Sequence, residues 1–161
     1  MHTAFVSLLS AVALVSAAPA AYPTGVIEAP ANGTSIMPGQ AFDFSYNAHA
    51  DYCMSSYNFS VWLVTEKPTV FAPSETFMTG HYFGTFDVAN YPAVPYATNP
   101  APAQLVMPVL SQSQGGFGSG ESASNATFYI MVMEEWDNCQ GALGKNVGLA
   151  LNSIIYNATT T

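Results

Sequence analysis

Basic residues are almost missing from this sequence. The 161-residue chain has two, Lys67 and Lys145, against ten acidic residues, for a formal net charge of −8. Two cations cannot neutralise a run of phosphates or hold an anionic bilayer, which excludes nucleic acid and acidic membrane surfaces as partners. Charged residues of both signs make up only 7% of the chain, while half of it is hydrophobic and 13% aromatic. Disordered chains show the opposite balance, so a folded domain is expected. No apolar run reaches the roughly 20 residues needed to span a bilayer, and the protein is not expected to be membrane-embedded. Histidine is scarce as well: beyond His2 there are only His49 and His81. No His-Glu-x-x-His motif occurs. No Gly-x-Ser-x-Gly elbow occurs either, because Gly116-Phe117-Gly118-Ser119-Gly120 has the wrong spacing.

What is present begins with a leader. Residues 1–18 read as a secretory signal, with an apolar run over 5–15 and small residues at Val15-Ser16-Ala17 and Ala18-Pro19-Ala20. His2 stands where such leaders usually carry Lys or Arg. Neither expected cut exposes a first-residue histidine, which excludes a copper-dependent polysaccharide oxygenase. The end of the chain, Tyr156 to Thr161, has no hydrophobic lipid-anchor tail. Residues 19–161 are then expected to be one secreted, extracellular domain, a length that suits a single core.

Two features fit that compartment. Four N-glycosylation sequons are present, at Asn32, Asn58, Asn125 and Asn157. There are also two cysteines, Cys53 and Cys139. In an oxidising compartment a lone pair most simply forms one disulfide; two free thiols are the alternative. Such a bridge would close a loop of nearly ninety residues, worth about 4 kcal/mol in the chain-entropy model.

The pattern after the leader is of short strands between turn residues. In 41–46, Phe42, Phe44 and Tyr46 alternate with Asp43 and Ser45. In 57–65, Tyr57, Phe59, Val61 and Leu63 share one face and Asn58, Ser60 and Trp62 the other. A sugar on Asn58 needs water, which assigns the first set to the core. Trp62 then falls on the wet face, where the proline-rich stretch 89–102 is expected to cover it; exposure as a contact residue is the alternative. Further strands are expected over 26–28, 80–88, 104–109, 127–134 and 147–156. No segment carries a capped helical period. Residues 89–102 read as an extended loop and 111–124 as a Gly/Ser-rich one. The expected fold is all-β, an immunoglobulin or fibronectin III-like antiparallel sandwich of about seven strands with long loops. Both cysteines follow strands and would meet at one end of it.

The stretch Ile27-Glu28-Ala29-Pro30-Ala31-Asn32-Gly33, continued by Pro38-Gly39-Gln40-Ala41-Phe42-Asp43-Phe44-Ser45-Tyr46, resembles a known opening. It is similar to the yeast cell-wall synthesis N-terminal-like domain of fungal Ser/Thr-rich surface proteins. Pro30, Gly33 and Gly39 match that family's turn positions, and Tyr46 stands where it usually has Trp. The resemblance covers about twenty residues. It implies an immunoglobulin-like sandwich in a fungal extracellular or wall setting. The chain departs from the family in lacking a Ser/Thr-rich tail and an anchor signal. Its general look is also similar to small secreted proteins of mushroom-forming fungi, some of them immunomodulatory glycoproteins.

Chemistry-bearing residues concentrate at the expected bridged end. Glu134-Glu135-Trp136-Asp137-Asn138-Cys139 would meet His49-Ala50-Asp51-Tyr52-Cys53. Oxygen ligands at this density could suit calcium; a solvated acidic loop is the preferred reading, with no metal and no cofactor expected. Glu134 and Glu135, adjacent on a strand, would point to opposite faces rather than across a glycosidase cleft. His81, among Tyr82 and Phe83, reads as a packed or surface strand residue. The candidate binding surface is Tyr52, Tyr57 and Trp136 with Asp51, Glu135 and Asp137, although Trp136 could instead cover the disulfide. The expected function is non-enzymatic: binding of cell-wall polysaccharide or a surface glycoconjugate. Alternatives are an immunomodulatory or effector-like ligand of a foreign cell receptor, open to homodimer formation, and a glycoside hydrolase using Glu134 or Glu135.

Overall fold

A computed structural model describes residues 25–50, 55–69, 80–90, 92–110, 123–137 and 144–159. The leader, Asp51, Tyr52, both cysteines and most of the Gly/Ser-rich stretch lie outside these. Nine strands run through the described residues, and none of these residues is helical. They are β1 (Val26–Ala29), β2 (Thr34–Ile36), β3 (Ala41–Asp43), β4 (Ser45–Asn47) and β5 (Asn58–Val64), followed by β6 (Gly80–Asp87), β7 (Gln104–Val106), β8 (Ala126–Trp136) and β9 (Asn146–Tyr156). The fold is all-β and sandwich-like, as the alternation predicts.

One layer is a five-stranded sheet in the order β2-β9-β8-β5-β6. The other is made of two ribbons, β1-β4 and β3-β7. Inward residues of both layers form one core: Ile27, Phe42, Phe44 and Leu105 from the ribbons meet Phe59, Val61, Ile130, Val132 and Ile154 from the sheet. Phe44 and Tyr46 both pack on the ring of Phe59, at 6.4 and 4.8 Å between centroids.

Several details differ from the sequence expectation, among them the strand expected over 104–109, which as β7 ends at Val106. The 41–46 segment is two strands, because at Phe44 the backbone leaves the ladder and its N–H bonds the Ala103 carbonyl, 2.9 Å. The segment thereby serves both ribbons. The short β2, unmarked by alternation, pairs with β9 in parallel rather than antiparallel. The proline-rich stretch is not wholly unpaired, since Asn90 bridges to Val94 and Pro100 to Asp87. Finally, Tyr57 is 46% exposed. It precedes β5, past the edge of the core, and its carbonyl accepts the Val88 N–H.

Strand β6 contains the feature that shapes the outer surface. Against β5, Val61 pairs with Gly84 but Trp62 pairs with Tyr82, so Phe83 is an extra residue. Such a bulge inverts facing for everything beyond it. Phe83 turns inward onto Phe42, centroids 6.0 Å apart. Tyr82 turns outward beside Trp62. Gly84 permits this, holding φ at 151°, and its bare α-carbon leaves room for the Phe86 ring.

Candidate functional site

Strand β8 carries the acidic pair to different places. Glu134 is 1% exposed. Its carboxyl group accepts hydrogen bonds from Ser56 Oγ at 3.0 Å and from the backbone N–H groups of Gly25 and His49, each at 3.3 Å. Ser56, Gly25 and His49 are 78, 109 and 85 residues away in sequence. The carboxyl therefore pins the start of β1, the segment after β4 and the approach to β5 at one end of the sandwich. The Tyr46 phenol also lies in this region; burial first, and then the negative charge of Glu134, push its pKa far above the usual range. Gly25 has no side chain because one would collide with that phenol.

Glu134 is thus neither a solvated loop residue nor a groove residue. Trp136, two positions on and also inward, is 4% exposed. That burial removes it from the candidate binding surface. The two flanks expected to converge do so, since the His49 N–H reaches Glu134. Cys53, Cys139, Asp51 and Tyr52 lie outside the described residues. Asp137 and Tyr57 are exposed. Glu135 is exposed on the opposite face, with Lys145 Nζ 3.7 Å away. The paired carboxyls hence do not face each other across a cleft. Among the described residues, no group of three or more His, Cys, Asp or Glu is placed to hold a metal ion.

On the outer face of the large sheet there is a groove of about 270 Å³, lined by Asn58, Ser60, Trp62, Tyr82, Thr85, Met133 and Glu135. Trp62 and Tyr82 are cross-strand partners with ring centroids 4.6 Å apart and planes tilted by 43°. None of the described residues of the 89–102 stretch lines this groove, and Trp62 is part-buried in it. The indole Nε1–H is turned onto Ser60 Oγ, 3.1 Å, and Tyr82 Oη is 2.7 Å from Thr85 Oγ1. Both aromatic side chains are held in place by these bonds, while Tyr82 remains 47% exposed. Amide, hydroxyl and carboxyl groups beside a pair of rings suit a ligand with apolar ring faces and many hydroxyls.

The sequence alone places Asn58, Ser60 and Trp62 on one strand face and Glu135 apart from them. It misses Tyr82, Thr85 and Met133 as their neighbours. A Gly inside an aromatic strand, Gly84, is the signal that could have exposed the bulge.

The fold and groove define an all-β, sandwich-like protein with an aromatic-walled groove on its open sheet face. Comparisons with protein families, curated proteins and solved structures find no match to this chain.

Proposed function

We propose that this is a secreted, non-enzymatic glycoprotein that binds cell-wall polysaccharide or a surface glycoconjugate, with the Trp62–Tyr82 groove as its sugar site. One observation carries the reading: a part-buried Trp62 ring and a half-exposed Tyr82 ring are fixed side by side among Asn58, Ser60, Thr85 and Glu135 on the outer sheet face. Pyranose rings present C–H faces to aromatic rings and hydroxyls to polar rims. The apolar leader and the sequons support an extracellular setting, and the resemblance of 27–46 to a wall-protein family agrees with it. The binding surface moves from the end loops to the sheet; of the residues first considered, Glu135 stays.

The test is retention of the secreted protein, its N-glycans trimmed to a single sugar per site, on insoluble β-glucan and chitin. Trp62→Ala is expected to lower retention at least ten-fold, with little change in unfolding midpoint. Equal retention of the variant would overturn the assignment of this groove. No retention of either form, with cytokine release from immune cells, would redirect the function to a protein receptor.

A further inference from the structure

The groove contains one of the chain's own sequon asparagines. Asn58, in Asn58-Phe59-Ser60, is exposed and forms part of the groove lining. The other sequons are placed differently. Asn157 Nδ2 donates to both Ala123 O at 3.0 Å and Ser124 Oγ at 2.7 Å, so both of its N–H groups are engaged. Asn125 Nδ2 donates to Thr159 Oγ1 at 2.7 Å. Asn32 sits beside β9, its Oδ1 accepting the Ser153 N–H at 2.8 Å. Only Asn58 shares a wall with Trp62 and Tyr82.

We propose that the N-glycan carried by Asn58 lies along this groove onto Trp62 and Tyr82, so that the glycoform decides whether the groove is open to an external sugar. Asn58 and Trp62 are four residues apart on β5, about 13 Å along the strand. The core sugars of an N-glycan reach that far. Both side chains point from the same face of β5, and the small Ser60 is the lining residue of that strand between them. Attachment joins Asn58 Nδ2 to the anomeric carbon of a glycosyl pyrophosphate donor; the carbon–oxygen bond to pyrophosphate breaks and one amide proton is lost. The attached sugar then meets the surface chemistry proposed to bind free sugar, at the high effective concentration of a tethered ligand. The gating half of this proposal rests on the sugar-binding reading; the covering half does not.

The chain has two tryptophans, Trp62 and Trp136, and Trp136 is buried. Quenching of tryptophan fluorescence by acrylamide therefore reads Trp62. The full chain is secreted from a eukaryotic host, and occupancy at Asn58 is mapped by peptide mass spectrometry. Quenching and retention on β-glucan and chitin are then compared for three forms: wild type, wild type trimmed to a single sugar per site, and Asn58→Gln. Trimming and Asn58→Gln are each expected to raise the quenching constant at least two-fold and retention about ten-fold. An unoccupied Asn58, or equal quenching in all three forms, overturns the cover; if those forms are still retained, the sugar-binding reading stands without it. A rise in quenching with no retention of any form upholds the cover and overturns the sugar-binding reading.

Discussion

Glu134 and Glu135 are consecutive on one strand, yet one is enclosed by three hydrogen-bond donors and the other lines an open groove. The same contrast holds for the two tryptophans. Trp136 is sealed into the end of the sandwich, and Trp62 stands on its outer face. Residue type says nothing about which member of each pair is available to a ligand. Facing decides it, because successive side chains of a strand point to opposite sides. The inner end is a structural clasp; the outer face carries the groove proposed for recognition.

Truncating each glutamate is the harshest test of that division. Glu134→Ala leaves the Gly25 and His49 N–H groups and the Ser56 hydroxyl without their acceptor in a buried site. Unsatisfied buried donors cost about 1–3 kcal/mol each, so a loss of at least about 3 kcal/mol in urea unfolding is expected. Glu135→Ala gives up an exposed ion pair and is expected to stay within about 0.5 kcal/mol of wild type. Similar costs for the two would erase the distinction between clasp and groove.

Gly84→Ala attacks the boundary between the two regions. A β-carbon there would need φ near 151° and would stand 3.0 Å from the Phe86 ring. Strain of this kind costs of order 1–3 kcal/mol. If β6 relieves it by giving up the bulge, Tyr82 leaves the Trp62 face, so retention on polysaccharide is expected to fall along with stability. A variant that loses the Trp62–Tyr82 ring contact, read by NMR, but keeps full retention would show that Tyr82 is not part of the sugar site.

That bulge also marks how far the sequence could be read. Alternation placed β5, β8 and β9 within a residue or two, and with the Asn58 sequon it assigned Phe59, Val61 and Leu63 to the core and Trp62 outside, though it also put the exposed Tyr57 inside. It also anticipated that Glu134 and Glu135 would diverge. It could not pair Trp62 with Tyr82, because the facing of Tyr82 depends on one inserted residue against a partner strand. Nor could it bury Glu134: charged side chains are seldom buried, and the donors that make it tolerable come from residues 78 to 109 positions away. The three-residue β2 carries no period long enough to detect. Its existence depends on β9 being beside it.

Alkaline titration sharpens the comparison at the inner end. The Tyr46 phenol has a folded pKa raised by burial and by Glu134, above its unfolded value of about 10. Its contribution to stability is present in full below pH 10 and is lost as pH rises, because the unfolded chain releases a proton that the folded chain retains. Stability is expected to decline above about pH 10 with a slope that Tyr46→Phe reduces. An unchanged slope in that variant would detach the phenol from the clasp.

The smallest effect is expected at the outer end of β6, and it has the opposite sign. Asp87 accepts hydrogen bonds from Thr98 Oγ1 at 2.6 Å and from the Asn99 N–H at 3.0 Å. These hold its carboxyl below the usual carboxylate range. A depressed folded pKa gives stability that is present above the unfolded value, about 4, and lost as pH falls through the folded one. Because the group is open to solvent, the bonds tie down the 98–99 turn without contributing much to global stability. Amide exchange at Asn99 should therefore accelerate below about pH 4 relative to core amides of β8, and Asp87→Asn should show the faster exchange already at neutral pH. If the turn stays protected in that variant, the 98–99 segment is held by its backbone pairing, the Asp87 N–H to the Asn99 carbonyl at 2.8 Å, and the carboxyl has no part in fixing the edge of the groove sheet.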